Sequence, residues 1–160
     1  MKTKIFVSVL AALAVVSCTG RKECADSTGD AAAGAQAAVA DARLEGRWLI
    51  EHIVFSDSVS VRPAEEVPGV EQYIAFDDST YFIRTNCNTI SGLYTLTGDS
   101  IVLGDGAMTE MACDNMATED ALRRILPYIV KLDIENDSIA RLNGSQPSEY
   151  IVLRKMADDR

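Results

Sequence analysis

The chain has 160 residues, of which 24 are acidic and 15 basic, for a net charge of −9. Clustered Lys and Arg are what neutralise phosphates, so this balance excludes a nucleic-acid binder and a face built to dock on anionic headgroups, and it confers solubility. Both ends read as non-globular, which leaves one domain, and a body of about 115 residues buries roughly two thirds of its unfolded surface.

Lys2 and Lys4 precede an apolar run from Ile5 to Val16 broken only by Ser8, the charged and hydrophobic regions of a secretory signal. As a helix that run spans about 18 Å, short of the ~30 Å hydrocarbon core of a bilayer, so it is not a membrane span. Val15-Val16-Ser17-Cys18 resembles the lipobox of bacterial lipoproteins, where cleavage leaves a cysteine whose thiol carries a diacylglyceryl group. Residues 1–17 are then a signal peptide and Cys18 the lipidated N-terminus; the alternative is that Cys18 is merely a small residue of an apolar segment. Several acyl chains anchor stably, because burial contributes about 0.8 kcal/mol per methylene. Thr19, which is not acidic, favours the outer membrane by resemblance to the enterobacterial sorting rule.

Residues 18–42 read as a flexible tether, polar at first and alanine-rich from Ala31 to Ala42, with no stripe to dock it. Cys24 falls here, either an inert exposed thiol or one that pairs between molecules. The folded body is expected over 43–156, with 157–160 frayed. It opens with a β-rich run around Trp48, Leu49, Ile50, Ile53, Val54 and Phe55, in which Trp48 is a core plug.

Ser56 to Gly69 contains Pro63 and Pro68 and reads as a loop with a short strand near Val59 to Arg62. Strands at Tyr73–Phe76 and Thr80–Thr85 flank an Asp77-Asp78-Ser79 turn, and strands at Leu93–Thr97 and Ile101–Leu103 flank Gly98-Asp99-Ser100, where Gly98 supplies a positive φ. No clean alternation of apolar and polar residues runs through them, which suits a curled sheet buried to some extent on both faces.

One helix follows. Thr118 is placed to N-cap it, Glu119 and Asp120 complement its dipole, and Ala121, Leu122, Ile125, Leu126 and Ile129 recur at helical spacing until Pro127 ends or kinks it. That stripe suits core packing better than a partner groove. Lys131–Ile134, Ile139–Leu142 and Tyr150–Lys155 read as three more strands, with turns at Asn136-Asp137 and Asn143-Gly144.

Leu44-x-Gly46-x-Trp48-Leu49, Cys87-Asn88, Gly92-x-Tyr94 and Thr109-x-Met111-Ala112-Cys113, followed by one helix and terminal strands, resemble the META domain of HslJ-type envelope lipoproteins from about Leu44 to Lys155. That family commonly has glycine before the first cysteine and often proline after the second, where this chain has Asn86 and Asp114. The resemblance implies an α+β, mostly β fold: a small incomplete β-barrel or strongly curved antiparallel sheet closed by one α-helix. It implies association with heat and envelope stress, and no established enzymatic activity, while a shared barrel does not transfer a function.

The chemistry expected of the body is correspondingly sparse. His52, the one histidine, sits in the first strand pattern and reads as a satisfied or half-exposed side chain. Two spaced cysteines and one histidine make a poor zinc set, and Asp133-x-Glu135-x-Asp137 places carboxylates on one strand face that suits solvent better than calcium. No catalytic residue, metal or cofactor is expected. Cys87 and Cys113 are expected to pair in an oxidising compartment, the alternative being two buried reduced thiols. The expected function is that of a noncatalytic, lipid-anchored, monomeric envelope protein that meets the membrane through Cys18, contributes to stress tolerance or binds a protein partner, and leaves nucleic acid alone. The alternatives are a carrier of a small apolar ligand in a cracked barrel and, less favoured, an envelope hydrolase or thiol enzyme.

Overall fold

A computed structural model describes residues 43–157. The signal segment, Cys18, Cys24, the tether and the last three residues lie outside the described residues. The elements are β1 (Gly46–Ser56), β2 (Val59–Val61), α1 (Pro63–Glu66), β3 (Tyr73–Asp77), β4 (Thr80–Arg84), β5 (Thr89–Thr97), β6 (Ser100–Leu103), β7 (Ala107–Met108), α2 (Ala117–Ile125), a 3-10 turn over Leu126–Tyr128, β8 (Ile129–Asn136), β9 (Ile139–Gly144) and β10 (Tyr150–Lys155).

The strands form a closed antiparallel barrel of eight, β1-β3-β4-β5-β6-β8-β9-β10, with β10 returning to β1; β2 pairs with β1 and β7 with β5. The barrel expected from the sequence is therefore present, and its ladder runs the whole way round. Closure rests on Trp48 opposite Lys155 through Val54 opposite Tyr150. The narrowest join is between β6 and β8, where Ser100 opposite Lys131 is the one ladder pair, supported by the Leu132 N–H donating to the Asp99 carbonyl at 2.8 Å.

Alternation is cleaner than the sequence implied. In β4 Tyr81 and Ile83 point in while Thr80, Phe82 and Arg84 point out, and in β6 Ile101 and Leu103 point in. The irregular strands are β1 and β8, and each carries a bulge. The register of β1 against β10 shifts between Ile50 and His52, so Trp48 and Ile50 face inward before the shift and Ile53 and Phe55 after it. One extra residue reverses which face each later side chain takes. β8 shifts between Ile129 and Lys131, which lets Ile129 and Leu132 both point inward.

α2 closes one end of the barrel with Leu122 and Ile125, and Leu126 follows them inward. Its N-cap is Met116, and Thr118 is buried in the first turn instead of capping. Pro127 does end the helix, at Ile125, because it has no N–H to continue the ladder. Pro63 starts the short α1 inside the segment expected to be a loop, its fixed φ suiting a first helical position. The turn expected at Asn143-Gly144 starts one residue later, since both residues belong to β9.

The interior is solid. Trp48, Phe76, Ile83, Ile101, Leu142 and Ile151 are at most 2% exposed, and the space bounded by Ile50, Ile74, Ile83, Leu122, Leu142 and Ile151 admits no water-sized sphere. Trp48 is the plug the sequence implied. Its indole N–H donates to the Leu44 carbonyl at 2.6 Å, and the Lys155 ammonium sits 4.5 Å over its ring.

Candidate functional site

The turn between β4 and β5 carries Thr85-Asn86-Cys87-Asn88, whose backbone polar groups have no strand partner and must find others. Thr85 closes the turn on itself: its N–H donates to the Asn88 carbonyl at 2.9 Å, and its hydroxyl oxygen accepts from the N–H of Asn88 at 2.9 Å and of Cys87 at 3.2 Å. The hydroxyl has one proton to give. The Asn88 carbonyl lies within reach at 2.8 Å, but the better acceptor is the Glu119 carboxylate, whose Oε1 makes the shorter contact.

Glu119 comes from the first turn of α2 and is fully buried. Oε1 also accepts from the Asn88 N–H at 3.2 Å, while Oε2 has no partner among the described residues. The residue read from sequence as a helix-dipole complement is therefore the strut that ties α2 to the turn.

Asn88, 1% exposed, reaches the other way. Its amide pairs with Met111 as a strand backbone would, Oδ1 accepting from the Met111 N–H at 2.8 Å and Nδ2 donating to the Met111 carbonyl at 3.0 Å. Oδ1 also accepts from the Thr109 hydroxyl at 2.9 Å. Beside this, Cys87 and Cys113 are bonded, with their Cα atoms 6.1 Å apart. Asn86 takes no left-handed backbone angle, since Asp78 is the one non-glycine with positive φ among the described residues. Its N–H donates to Gln72 Oε1 at 3.2 Å, and its Nδ2 donates to the Asn115 carbonyl at 2.9 Å. The whole cluster fixes the loop before α2 by covalent and hydrogen bonds. Both sulfurs are spent in the disulfide, so neither is a nucleophile in this state.

His52 lies elsewhere, in a hollow of about 310 Å³ with Glu51, Arg62, Glu65, Val152 and Arg154; neither bonded cysteine lines it. Its Nε2 is buried and has no hydrogen-bond partner among the described residues. Burial, then the nearby Arg62 guanidinium, lowers its pKa, with Glu65 opposing. The lowered pKa favours the neutral imidazole, and neither bonded cysteine is beside it to act as a nucleophile with it. Arg154 pairs with Glu51 across the β10–β1 ladder.

The strand carboxylates are likewise occupied. Asp133 pairs with Lys131 at 2.7 Å and accepts from Asn143 Nδ2 at 2.9 Å, while Glu135 pairs with Arg141 at 3.6 Å. Among the described residues no group of three or more His, Cys, Asp or Glu is placed to hold a metal ion.

A groove that the sequence did not reveal lies between the β6–β7 edge and the end of α2. It holds about 460 Å³ and is lined by Ile90, Leu103, Met108 and Leu126 along the floor, with Asp105 and Arg123 as charged walls. Tyr81 lines it too, donating its hydroxyl to the Gly104 carbonyl at 3.1 Å; burial first and Asp105 second raise its pKa. Two glycines make room for that ring. A Cβ on Gly92 would lie 2.7 Å from it, and one on Gly106 would lie 2.6 Å from its hydroxyl oxygen. The signal available in sequence was Gly104-Asp105-Gly106, which interrupts an otherwise continuous strand.

A family profile described as META domain matches residues 41–157. Among solved structures, the chain is similar to a protein from Burkholderia xenovorans determined by NMR, with TM-score 0.60 and 16% identity over 72% of this chain and 85% of that one. It is also similar to a crystal structure of a DUF4847 family protein from Bacteroides vulgatus, with TM-score 0.52 and 12% identity over 74% of this chain and 97% of that one. At these identities the likeness shows the fold alone. No curated protein matches the chain.

Proposed function

Because the chain belongs to the META-domain family, we propose that it is a noncatalytic protein of the bacterial cell envelope, lipid-anchored to the outer membrane through Cys18, whose barrel binds a protein partner in envelope stress tolerance. The observation that carries the binding reading is the filled middle of the barrel, which leaves recognition to its rim and outer surface. Support for the compartment comes from the lipobox-like Val15-Val16-Ser17-Cys18 and from the Cys87–Cys113 disulfide, which suits an oxidising environment. The carrier reading lacks room in the middle of the barrel, among Ile50, Ile74, Ile83, Leu122, Leu142 and Ile151. Bonded cysteines and an isolated histidine give the enzyme reading no support.

Three measurements test this, the first of them on the parent protein and a Cys18→Ala variant. Metabolic palmitate labelling should be strong in the parent and lost in the variant, and equal labelling removes the anchor. Photo-crosslinking from surface positions in whole cells should capture a defined envelope protein. Native mass spectra of envelope-extracted protein that instead retain a small molecule restore the carrier reading.

A further inference from the structure

We propose that the seam between the β6–β7 edge and the end of α2 receives an extended peptide segment of a partner protein, which pairs along Leu103–Met108, lays apolar side chains on the groove floor and sets a carboxylate against Arg123. This rests on the partner-binding reading and assigns it a place and a chemistry.

The argument begins with the join between β6 and β8. Beyond the single ladder pair at Ser100 and Lys131, β8 stays beside β6 without further ladder pairing, and past Leu103 no strand pairs with that edge among the described residues. The chain continues past the Gly104-Asp105-Gly106 interruption into β7, which pairs with β5 at Ile90 opposite Met108 and Ser91 opposite Ala107. β6 and β7 are thus one interrupted strand that uses one edge on β5 and turns the other toward the groove. The N–H groups of Asp105 and Gly106 donate to no protein group among the described residues. What faces them across the groove is the end of α2 and the 3-10 turn, side chains of Arg123, Leu126 and Pro127.

An edge with free main-chain donors recognises another main chain, and pockets beside it select alternate side chains. A purely apolar small molecule satisfies the floor and leaves those donors without acceptors. The groove's volume lies within the range of about 300–1,000 Å³ typical of binding clefts. Arg123 is exposed and makes no ion pair among the described residues, so in this acidic protein it offers a cation to an incoming carboxylate. Asp105, on the opposite wall, disfavours a segment that carries acidic residues on both sides.

The test uses the purified protein, labelled with 15N, and an acetylated, amidated hexapeptide of sequence Thr-Ile-Thr-Val-Thr-Glu, whose Ile, Val and Glu share one face when extended. The expected result is amide shifts concentrated at Leu103–Met108 and the Arg123 side chain, with slowed solvent exchange at Asp105 and Gly106. Arg123→Gln, at an exposed position, should keep the barrel spectrum and weaken binding at least threefold. Replacing the peptide glutamate by glutamine should weaken parent binding equally and cause no further loss in the variant. The same peptide N-methylated at alternate residues should lose binding in one register and keep it in the other, whose N–H groups point away from the seam. Binding that survives N-methylation in both registers, shifts that map to the β2 edge or elsewhere, or no shift at millimolar peptide overturns the proposal. Photoreactive side chains at Asp105 and at Glu135 separate it from the broader reading. A partner captured from Glu135 alone leaves partner binding standing and removes the seam, and capture from neither position removes both.

Discussion

Replacing Cys87 and Cys113 together by serine opens a loop that the disulfide closes across a sequence separation of 26. In the chain-entropy model a loop of that length contributes about 3.5 kcal/mol, because the cross-link removes conformations from the unfolded chain. An entropy of unfolding of about 2.1 cal/mol/K per residue over roughly 115 residues converts this to a fall in Tm of about 14 °C. In the folded state the loop keeps a second hold, since Asn88 still bonds Met111 on both sides of its amide and accepts from Thr109. The loop should therefore stay in place in the serine pair, and the loss should come from the unfolded side. Urea unfolding of the parent, the serine pair, Asn88→Ala and the triple variant forms a cycle that separates the two contributions. Although residues 87 and 88 are adjacent, the coupling should stay below about 0.5 kcal/mol. A coupling above about 1 kcal/mol, or new amide shifts at Thr109–Cys113 in the serine pair, would show that the disulfide holds the native loop and would refute this account.

Asn88→Ala alone should cost about 2 kcal/mol by urea unfolding; three hydrogen bonds are lost, but Met111 is exposed enough for water to replace some of them. Trp48→Phe should cost about 2–4 kcal/mol, since it leaves a void and strips the donor from the buried Leu44 carbonyl; a loss under 1 kcal/mol would show that the indole bond is dispensable. Gly92→Ala should cost about 1–3 kcal/mol, because its Cβ meets the Tyr81 ring at 2.7 Å and Tyr81 is only 3% exposed. For His52 the folded pKa lies below the ordinary 6.5. The contribution is then fully present above the unfolded pKa and is lost as pH falls through the folded value. Stability of the parent should decline on acidification in that window more than stability of His52→Leu, and an NMR titration that places His52 at or above 6.5 contradicts the reasoning.

Features decided by neighbouring residues were legible in the sequence. The Asp77–Thr80 and Gly98 turns needed residues that tolerate positive φ, and Asp78 and Gly98 take it at 45° and 63°. Pro127 stops α2 because of its own ring. Trp48 and the alternating side of β10 were readable from hydrophobicity. Features decided by distant partners were not. The bulges in β1 and β8 went unread, and the alternation of β4 and β6 was hidden because the apolar Phe82 and Val102 face outward. Glu119 reads as a surface acid of a first helical turn; only the return of Thr85 and Asn88 beneath the helix makes it a buried strut. The pairing of Cys87 with Cys113 was legible from chemistry and compartment, while the amide clasp of Asn88 beside it was not, since Asn in a turn usually serves its own loop. The groove depends on how soon β8 stops pairing with β6, which no local pattern encodes.

The pairing of β1 with β10 sets a condition on how this protein is made. Trp48 finds its neighbour Lys155 only when the last strand exists, and the Met156 N–H reaches the Arg47 carbonyl later still. A ribosome therefore releases almost the entire body before the first strand has both of its neighbours. Until then the β1 edge that β10 will cover is available to any passing chain. A nascent chain arrested before Tyr150 should bind holdase chaperones that the finished protein ignores, and its completion should be abrupt, with no stable half-barrel along the way.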